Sequence, residues 1–215
     1  MSIRARYERE LKGITDNLVV MCRQIETALE KCIRALAKQD FELAREVRDD
    51  DALVNKLERD IEQSCLKLLM MEHPVAGDFR EVSAALKMIT DLERIGDQAR
   101  DIAELTTQLG GGAYTEQLEQ MAVIVIQMVN DGVQAYINRD LLLACSLDAT
   151  DDKVDDLFND VMSGLTARIK ENPDCAEQAI MIMMITKYLE RIGDHAVNIG
   201  EWVAYAITGH NPKQA

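Results

Sequence analysis

The sequence is poor in aromatic side chains and in the residues that make turns. Of 215 residues, 3 are proline and 11 are glycine, and aromatic residues make up only 4%. Because chain reversals usually need such residues, the elements are expected to be few and long. No run with the alternating apolar and polar pattern of a β-strand competes with this interpretation. The shortage of turn-forming residues therefore predicts that these long elements are helices.

Positive charge is also scarce. The chain has 24 basic and 38 acidic residues, for a net charge of −14. A nucleic acid duplex or an anionic bilayer would repel such a surface unless its few cations were gathered into one patch. This excess of negative charge favours cations and basic proteins as partners and argues against nucleic acid. The alternative is that the charge only keeps the protein in solution.

Disulfide, secretion and membrane signals are absent from the sequence. The five cysteines form no Cys-x-x-Cys pair, and four of them lie in apolar helical stretches, which predicts buried free thiols in a reducing compartment. The charged N-terminal stretch has no signal-peptide pattern, and the longest apolar run, Ala179 to Ile185, is too short to span a bilayer. These features predict a cytoplasmic protein without membrane insertion. The cysteines are Cys22, Cys32, Cys65, Cys145 and Cys175.

The two halves of the chain repeat each other. Residues 35–51 match residues 135–151 at an offset of 100, and the offset then shrinks to 97. At that offset the six residues of 92–97, Leu-Glu-Arg-Ile-Gly-Asp, recur identically at 189–194. Such a match is strong evidence of an internal duplication.

Each copy is expected to form three long helices, because apolar residues recur every three or four positions. Asp40 is the expected N-cap of a second helix over about 41–72, and a third helix begins near Asp78. The second copy breaks near residues 138–140 and 172–173 and ends at Gly209. We therefore predict an all-α protein of six long helices in two tandem three-helix bundles, residues 1–109 and 114–215, joined by a Gly-rich linker at 110–113.

Acidic and amide side chains recur about one turn apart along one face of each third helix. They are Glu93, Asp97, Asp101 and Glu104 in the first copy, and Glu190, Asp194, Asn198 and Glu201 in the second. Each second helix adds a pair with the same spacing, Asp51 with Asn55 and Asp151 with Asp155. Like charges one turn apart are mutually unfavourable, and oxygen ligands suit hard cations such as Mg²⁺, Mn²⁺, Ca²⁺ or iron.

A solvated acidic face is the alternative, and helical geometry turns the stripe away from the core face and towards solvent. The duplication favours metal binding. Glu58 and Glu62 became Phe158 and Met162 in the second copy, whereas the third helix kept acids at three of four stripe positions. The mid-helix glycines Gly96 and Gly193 are unfavourable in helices and are explained by close approach of a neighbouring helix.

Signatures of enzymes are missing. There is no Glu-x-x-His pair for a di-iron centre, no P-loop, no Gly-x-Ser-x-Gly elbow and no zinc-ligand spacing. The three histidines, His73, His195 and His210, form no such arrangement. The sequence therefore favours a protein that is not an enzyme.

The doubled Leu-Glu-Arg-Ile-Gly-Asp element is followed by residues 101–104, Asp-Ile-Ala-Glu, in one copy and by residues 198–201, Asn-Ile-Gly-Glu, in the other. With the two Asp-x-x-Val-Asn/Asp elements at 51–55 and 151–155, this pattern resembles the PhoU family of phosphate-specific transport accessory and regulatory proteins. The resemblance covers nearly the whole chain.

The resemblance implies two three-helix bundles with metal clusters on E/D-x-x-x-D motifs, holding iron, manganese or magnesium. It implies a cytoplasmic homodimer or higher oligomer that links the ATPase subunit of a phosphate ABC transporter to a sensor histidine kinase and represses the phosphate-starvation response. The implied ligands are Glu93, Asp97 and Asp101 in one copy, and Glu190, Asp194 and Asn198 in the other. The neutral Asn198 suggests that the second site binds fewer ions or binds them more weakly.

Two other functions remain open at this point. One is a metal-dependent phosphoester hydrolase in which clustered cations activate water. The other is a metal-free helical scaffold or chaperone whose acids only keep it in solution.

Overall fold

The computed structural model describes residues 3–71, 76–109 and 115–210. They form six long α-helices and one short 3₁₀ turn, with no β-strand in these ranges. The helices are α1 (Ile3–Lys38), α2 (Phe41–Met71), α3 (Ala76–Gln108), α4 (Glu116–Asn138), α5 (Leu141–Glu171) and α6 (Ala176–Thr208), and the 3₁₀ turn is Pro173–Cys175. The predicted all-α fold of six long helices is confirmed.

Tight turns of matching geometry join α1 to α2 and α4 to α5. Gln39 and Arg139 both adopt a left-handed backbone with φ 54°. The next residue caps the following helix in each copy: Asp40 Oδ1 accepts from the Leu43 amide, and Asp140 Oδ1 accepts from the Leu143 amide, each at 3.0 Å. The expected N-cap at Asp40 is confirmed, and the turn keeps successive helices antiparallel.

Helices α1, α2 and α3 pack as one bundle and α4, α5 and α6 as a second. Each bundle buries the apolar stripe that the periodicity predicts, including Leu18 and Ile25 on α1 and Ile192 and Ile199 on α6. The bundles meet along α3 and α6, with a smaller contact between α1 and α4. Because α3 and α6 carry the repeated motif, the two copies of the motif lie on helices that also join the bundles.

Several boundaries differ slightly from the sequence predictions. Helix α3 begins at Ala76 rather than near Asp78, and the break at 172–173 is followed by the 3₁₀ turn before α6 begins. Helix α6 ends at Thr208, and Gly209, where the sequence predicts the end, is its left-handed C-cap with φ 80°. The predicted end of α2 at Glu72, His73 and the linker at 110–113 lie outside the described residues.

The expectation of buried thiols holds for three of the five cysteines, Cys22, Cys32 and Cys65. Cys145 is exposed and Cys175 is half-buried, so the prediction is wrong for these two. On α5 it is Ala144 that is buried against α6, and the next residue points about 100° away around the helix. Cys145 therefore lies on the flank of α5.

None of the described helices is long and apolar enough to cross a membrane.

Candidate functional site

Mid-helix glycines bring the acidic residues of neighbouring helices together. A Cβ atom on Gly96 of α3 would lie 3.1 Å from Val54 Cγ1 of α2, and one on Gly193 of α6 would collide with Asp151 Oδ1 of α5. The close helix approach predicted at these two glycines is confirmed. It places the acids of α2 beside those of α3, and those of α5 beside those of α6.

The first acidic cluster comprises Asp51 and Asn55 on α2 with Glu93 and Asp97 on α3. The Asn55 amide donates from Nδ2 to Asp51 Oδ2 at 2.9 Å. Burial raises the pKa of Glu93, and the neighbouring charge of Asp97 raises it further. The four polar side chains therefore face one another across the α2–α3 seam.

Arg100 supplies a positive charge to this cluster from within the same bundle. Its Nη1 donates to Asp97 Oδ1 at 2.7 Å and to Asp51 Oδ2 at 3.3 Å, and its Nη2 donates to Asp101 Oδ1 at 3.1 Å. Arg94 adds a contact of 3.3 Å to Asp97. Because one guanidinium contacts three carboxylates on two helices, the first cluster is substantially neutralised without a metal ion.

Arg100 is not among the site residues that the sequence predicts. Its position three residues after Asp97 is nevertheless a signal of an ion pair on one face of a helix. The expectation that the stripe faces solvent is wrong for Glu93 and Asp97, whose side chains are only 25% and 21% exposed, because the glycine contact draws α2 over this face of α3. It holds for Glu104, whose side chain is 50% exposed.

The second acidic cluster comprises Asp151 and Asp155 on α5 with Glu190 and Asp194 on α6. Glu190 is half-buried and contacts Lys187, whereas Asp155 and Asp194 are exposed. The position equivalent to Arg100 is Val197, so the guanidinium that bridges the first cluster has no equivalent here.

Asp151 is the uncompensated member of the second cluster. Its Oδ1 is buried and has no hydrogen-bond partner among the described residues. Burial, together with the charge of four nearby carboxylates, raises the pKa of Asp151 to about 7. They are Asp194, Asp155, Glu190 and Asp148. A buried carboxylate surrounded by like charges is unfavourable unless a proton or a cation neutralises it.

The remaining predicted ligands lie between the bundles. Asn198 donates from Nδ2 to Asp91 Oδ1 of α3 at 3.3 Å, and His195 contacts the same oxygen through Nδ1 at 2.9 Å. Burial, together with the nearby charge of Asp101 on α3, raises the pKa of Tyr188 on α6. The structure therefore places Asp101 and Asn198 at the α3–α6 contact and does not bring Asn198 together with the acids of α5.

All donors in both clusters are carboxylate or amide oxygens, which is the ligand set that hard cations prefer. Within the described residues, no group of three or more His, Cys, Asp or Glu side chains is already arranged around a common metal position. Metal binding would therefore require side-chain rotation. The second cluster fits a cation better, because Asp151 Oδ1 lacks a partner and no arginine occupies its centre.

Comparison with known proteins agrees with the duplicated architecture. The family model described as "PhoU domain" matches this chain twice, at residues 18–106 and 118–203. Each match covers one copy of the repeat.

Relatives match over nearly their full length. The chain is 32% identical over 207 residues to the "phosphate-specific transport system accessory protein PhoU homolog" of Clostridium acetobutylicum, covering 94% of both chains. It is 34% identical over 186 residues to the protein of the same description from Aquifex aeolicus, covering 85% of this chain and 84% of that one. The crystal structure of PhoU from Pseudomonas aeruginosa superposes with a TM-score of 0.90 at 32% identity, covering 95% of this chain and 100% of the other.

The repeated motif, the paired three-helix bundles and the two family matches agree with one another, and the chain belongs to the PhoU family.

Proposed function

We propose that the protein is a regulatory accessory protein of a phosphate-specific transport system that represses phosphate uptake and phosphate-starvation signalling. The observation that carries this proposal is the full-length similarity to relatives named as accessory proteins of such systems. Those names describe accessory proteins rather than enzymes, which supports a role through binding. We place it in the cytoplasm, as a homodimer or higher oligomer.

In this role the protein is an adaptor between two partners, the ATPase subunit of the phosphate ABC transporter and the sensor histidine kinase of the phosphate response. An acidic surface with a net charge of −14 favours basic surfaces on those partners. The two-bundle architecture supports the adaptor role, because each bundle offers a separate surface to a partner.

The proposal includes divalent or multinuclear metal ions, with iron, manganese or magnesium as the candidates. The proposed ligands in the second bundle are Asp151, Asp155, Glu190 and Asp194. A bound cation would neutralise the buried Asp151 and its acidic neighbours and so stabilise the folded state. Because Arg100 already neutralises the first cluster, we expect the second cluster to bind metal more tightly, the reverse of the order that Asn198 suggested.

The experiment measures regulation and metal content in the same variants. In cells lacking the chromosomal copy, the parent protein should repress a reporter of the phosphate-starvation response, and Asp151→Asn with Asp194→Asn should repress it less. The matched control is Asp16→Asn, a change of an exposed acid on α1. Metal content of protein purified without chelator should fall in the double variant and stay at the parental level in the control.

Three outcomes would contradict parts of the proposal. A reporter that is unaffected by loss of the protein would remove the regulatory role. Equal metal content in parent and double variant would exclude Asp151 and Asp194 as ligands, and absence of metal from both would leave a metal-free helical scaffold. Metal-dependent turnover of a generic phosphoester that is lost in the double variant would indicate a hydrolase.

A further inference from the structure

The Arg100 side chain reaches into the first acidic cluster from α3. It lies one helical turn after Gly96, where α2 and α3 approach each other closely. Its guanidinium donates to Asp97 Oδ1 at 2.7 Å on its own helix and to Asp51 Oδ2 at 3.3 Å on α2. The Arg100 side chain is 36% exposed and that of Asp51 only 10%. A fixed positive charge therefore contacts acids of both helices, as a cation bound in this cluster would have to do.

The equivalent position of the second bundle is apolar. Val197 lies one helical turn after Gly193, as Arg100 lies one turn after Gly96. It is only 8% exposed, and beside it α5 and α6 leave an open groove of about 310 Å³. Asp151, which lies against Gly193, has a buried oxygen without a partner among the described residues. The second cluster thus keeps its acids but lacks an internal cation equivalent to Arg100.

We infer that the side chain at this position decides which bundle binds a metal ion: Arg100 blocks metal binding by the first cluster, and Val197 permits it in the second. A guanidinium is always charged, and its hydrogen bonds to carboxylates are strong. Asp51 and Asp97 can turn to a metal ion only after these hydrogen bonds break. Because the guanidinium is tethered to α3, it returns to the acids at a high effective concentration. The first cluster is therefore empty of metal at concentrations that fill the second.

A second difference between the clusters is Asn55 against Asp155, which gives the second cluster one more carboxylate. The number of charged ligands also affects the affinity for hard cations. The guanidinium has the larger effect, because it adds a positive charge and occupies oxygens of two acids, whereas the amide oxygen of Asn55 can still serve as a ligand. Substitutions at positions 55 and 100 therefore separate the two explanations.

The inference rests on the metal binding proposed above and goes beyond the order of affinities, because it names the residue that sets how many clusters are filled. It also implies that the metal site can be moved from one bundle to the other. Since Arg100 and Val197 are themselves not proposed ligands, substitution of either leaves the oxygen donors of both clusters intact.

The experiment counts Mn²⁺ bound to the full-length protein after its metal has been removed with EDTA. Free Mn²⁺ gives an electron paramagnetic resonance signal that is lost on binding, so a titration yields the number of bound ions and their affinity. Fe²⁺ is tested in parallel by elemental analysis after anaerobic dialysis. The parent should bind Mn²⁺ in a manner that Asp194→Asn removes. Arg100→Val should add further bound ions, and Asp97→Asn in the Arg100→Val background should remove only those.

Exchange of the two side chains is the sharper test. Val197→Arg should weaken Mn²⁺ binding by the second cluster about ten-fold or more. The double variant Arg100→Val with Val197→Arg should bind Mn²⁺ through Asp97 instead of Asp194.

Matched controls carry the same side-chain changes at exposed positions. They are Arg34→Val on α1 and Val123→Arg on α4, and both should bind Mn²⁺ as the parent does. Asn55→Asp alone should leave the first cluster without Mn²⁺, since Arg100 is still present. Circular dichroism would establish that each variant is folded, and Arg100→Gln takes the place of Arg100→Val if the valine variant does not fold.

Unchanged Mn²⁺ binding in a folded Arg100→Val variant, or a parent that fills both clusters, would overturn the inference. Filling of the first cluster in Asn55→Asp alone would also overturn it, since the number of carboxylates would then decide. A parent that binds no metal while Arg100→Val binds Mn²⁺ through Asp97 would contradict the proposed site of the second bundle and support the inference. Absence of Mn²⁺ and Fe²⁺ from every variant would overturn both, whereas the regulatory role is decided separately by the reporter.

Discussion

At the scale of single residues, the equivalent aspartates of the two copies, Asp51 and Asp151, have different surroundings. Asp51 accepts hydrogen bonds from Asn55 and Arg100, whereas Asp151 has a buried oxygen without a partner among the described residues. The two environments follow from two sequence differences, Arg100 against Val197 on the facing helix and Asn55 against Asp155 on the same helix. Asp151 and Arg100 are therefore the residues at which substitution should be most informative.

We predict that Asp151→Asn stabilises the metal-free protein at alkaline pH. Because the pKa of Asp151 rises from 3.8 to about 7 on folding, the folded state holds its proton longer than the unfolded state. The stability that this proton contributes is therefore lost as pH increases from about 4 through about 7. Asparagine cannot ionise, so the variant avoids that loss. Because solvent screens the partly exposed carboxyl, we expect the free energy of unfolding at about pH 8 to rise by on the order of 1 kcal/mol.

The measurement is urea denaturation of both proteins in EDTA at about pH 4 and about pH 8. The difference between them should be small at the lower pH, where the parental carboxyl is protonated. A variant that is less stable than the parent at both pH values would contradict this account of Asp151.

Arg100→Gln should have the opposite effect on the first cluster. It removes a cation that contacts Asp51, Asp97 and Asp101, and leaves those carboxylates to repel one another. Since the arginine is partly exposed, we expect a loss of about 1 kcal/mol. Thermal denaturation should show a lowered midpoint that added Mn²⁺ partly restores, since the vacated cluster can then bind a cation. The control is Arg34→Gln, a change of an exposed arginine on α1, and an Arg100 variant as stable as the parent would contradict the bridging role.

At the scale of helices, glycine sets the distance between neighbours. Gly200 lies where α6 passes over the Ala144 carbonyl of α5, whereas a Cβ atom on Gly164 of α5 would meet nothing within 4 Å. Gly200 therefore permits the close packing of α5 and α6, whereas Gly164 has no such packing role.

Gly200→Ala and Gly164→Ala form a matched pair of substitutions. A methyl group at 200 would press on a backbone oxygen that cannot move without shifting α5, which should cost about 1–3 kcal/mol. At 164 the same change removes the conformational cost of glycine and should gain up to about 1 kcal/mol. The free energies of unfolding in urea would measure both, and equal effects at the two sites would show that α5 and α6 are not in close contact.

At the scale of the whole molecule, α3 and α6 join the bundles through polar contacts as well as apolar ones. The Asp91 carboxylate of the first bundle accepts from Asn198 and contacts His195 of the second. The charge of Asp101 on α3, together with burial, raises the pKa of Tyr188 on α6, which places these two side chains near each other. Since Asp91 and Tyr188 occupy equivalent positions of the repeat, the two contacts are related by the pseudo-symmetry of the duplication.

Replacing Asp91 should weaken the contact between the bundles. Asp91→Ala removes the acceptor shared by two half-buried groups, which we expect to cost about 1–3 kcal/mol. Hydrogen exchange should show faster exchange along the facing sides of α3 and α6, whereas Asp16→Ala should stay within about 0.5 kcal/mol of the parent. Unchanged exchange on both helices would mean that apolar packing alone holds the bundles together.

The sequence by itself determined the fold class, the duplication, the turn cap at Asp40 and the close approach at Gly96 and Gly193. These follow from local rules, namely apolar periodicity, capping chemistry and the cost of glycine in a helix, which do not depend on distant parts of the chain. The family was also identifiable, because a motif of six residues repeated in both halves is specific.

Only the tertiary structure decided how the acids are neutralised and which of them face one another. The stripe on α3 and α6 divides between two partners: its first members face α2 or α5, whereas Asp101 and Asn198 face the other bundle. Helical spacing gives the angle of a side chain around its own axis but not the helix that lies beside it. For the same reason the sequence does not predict the hydrogen bond from Arg100 to Asp51. These residues are 49 positions apart in the chain and meet only because α3 packs against α2.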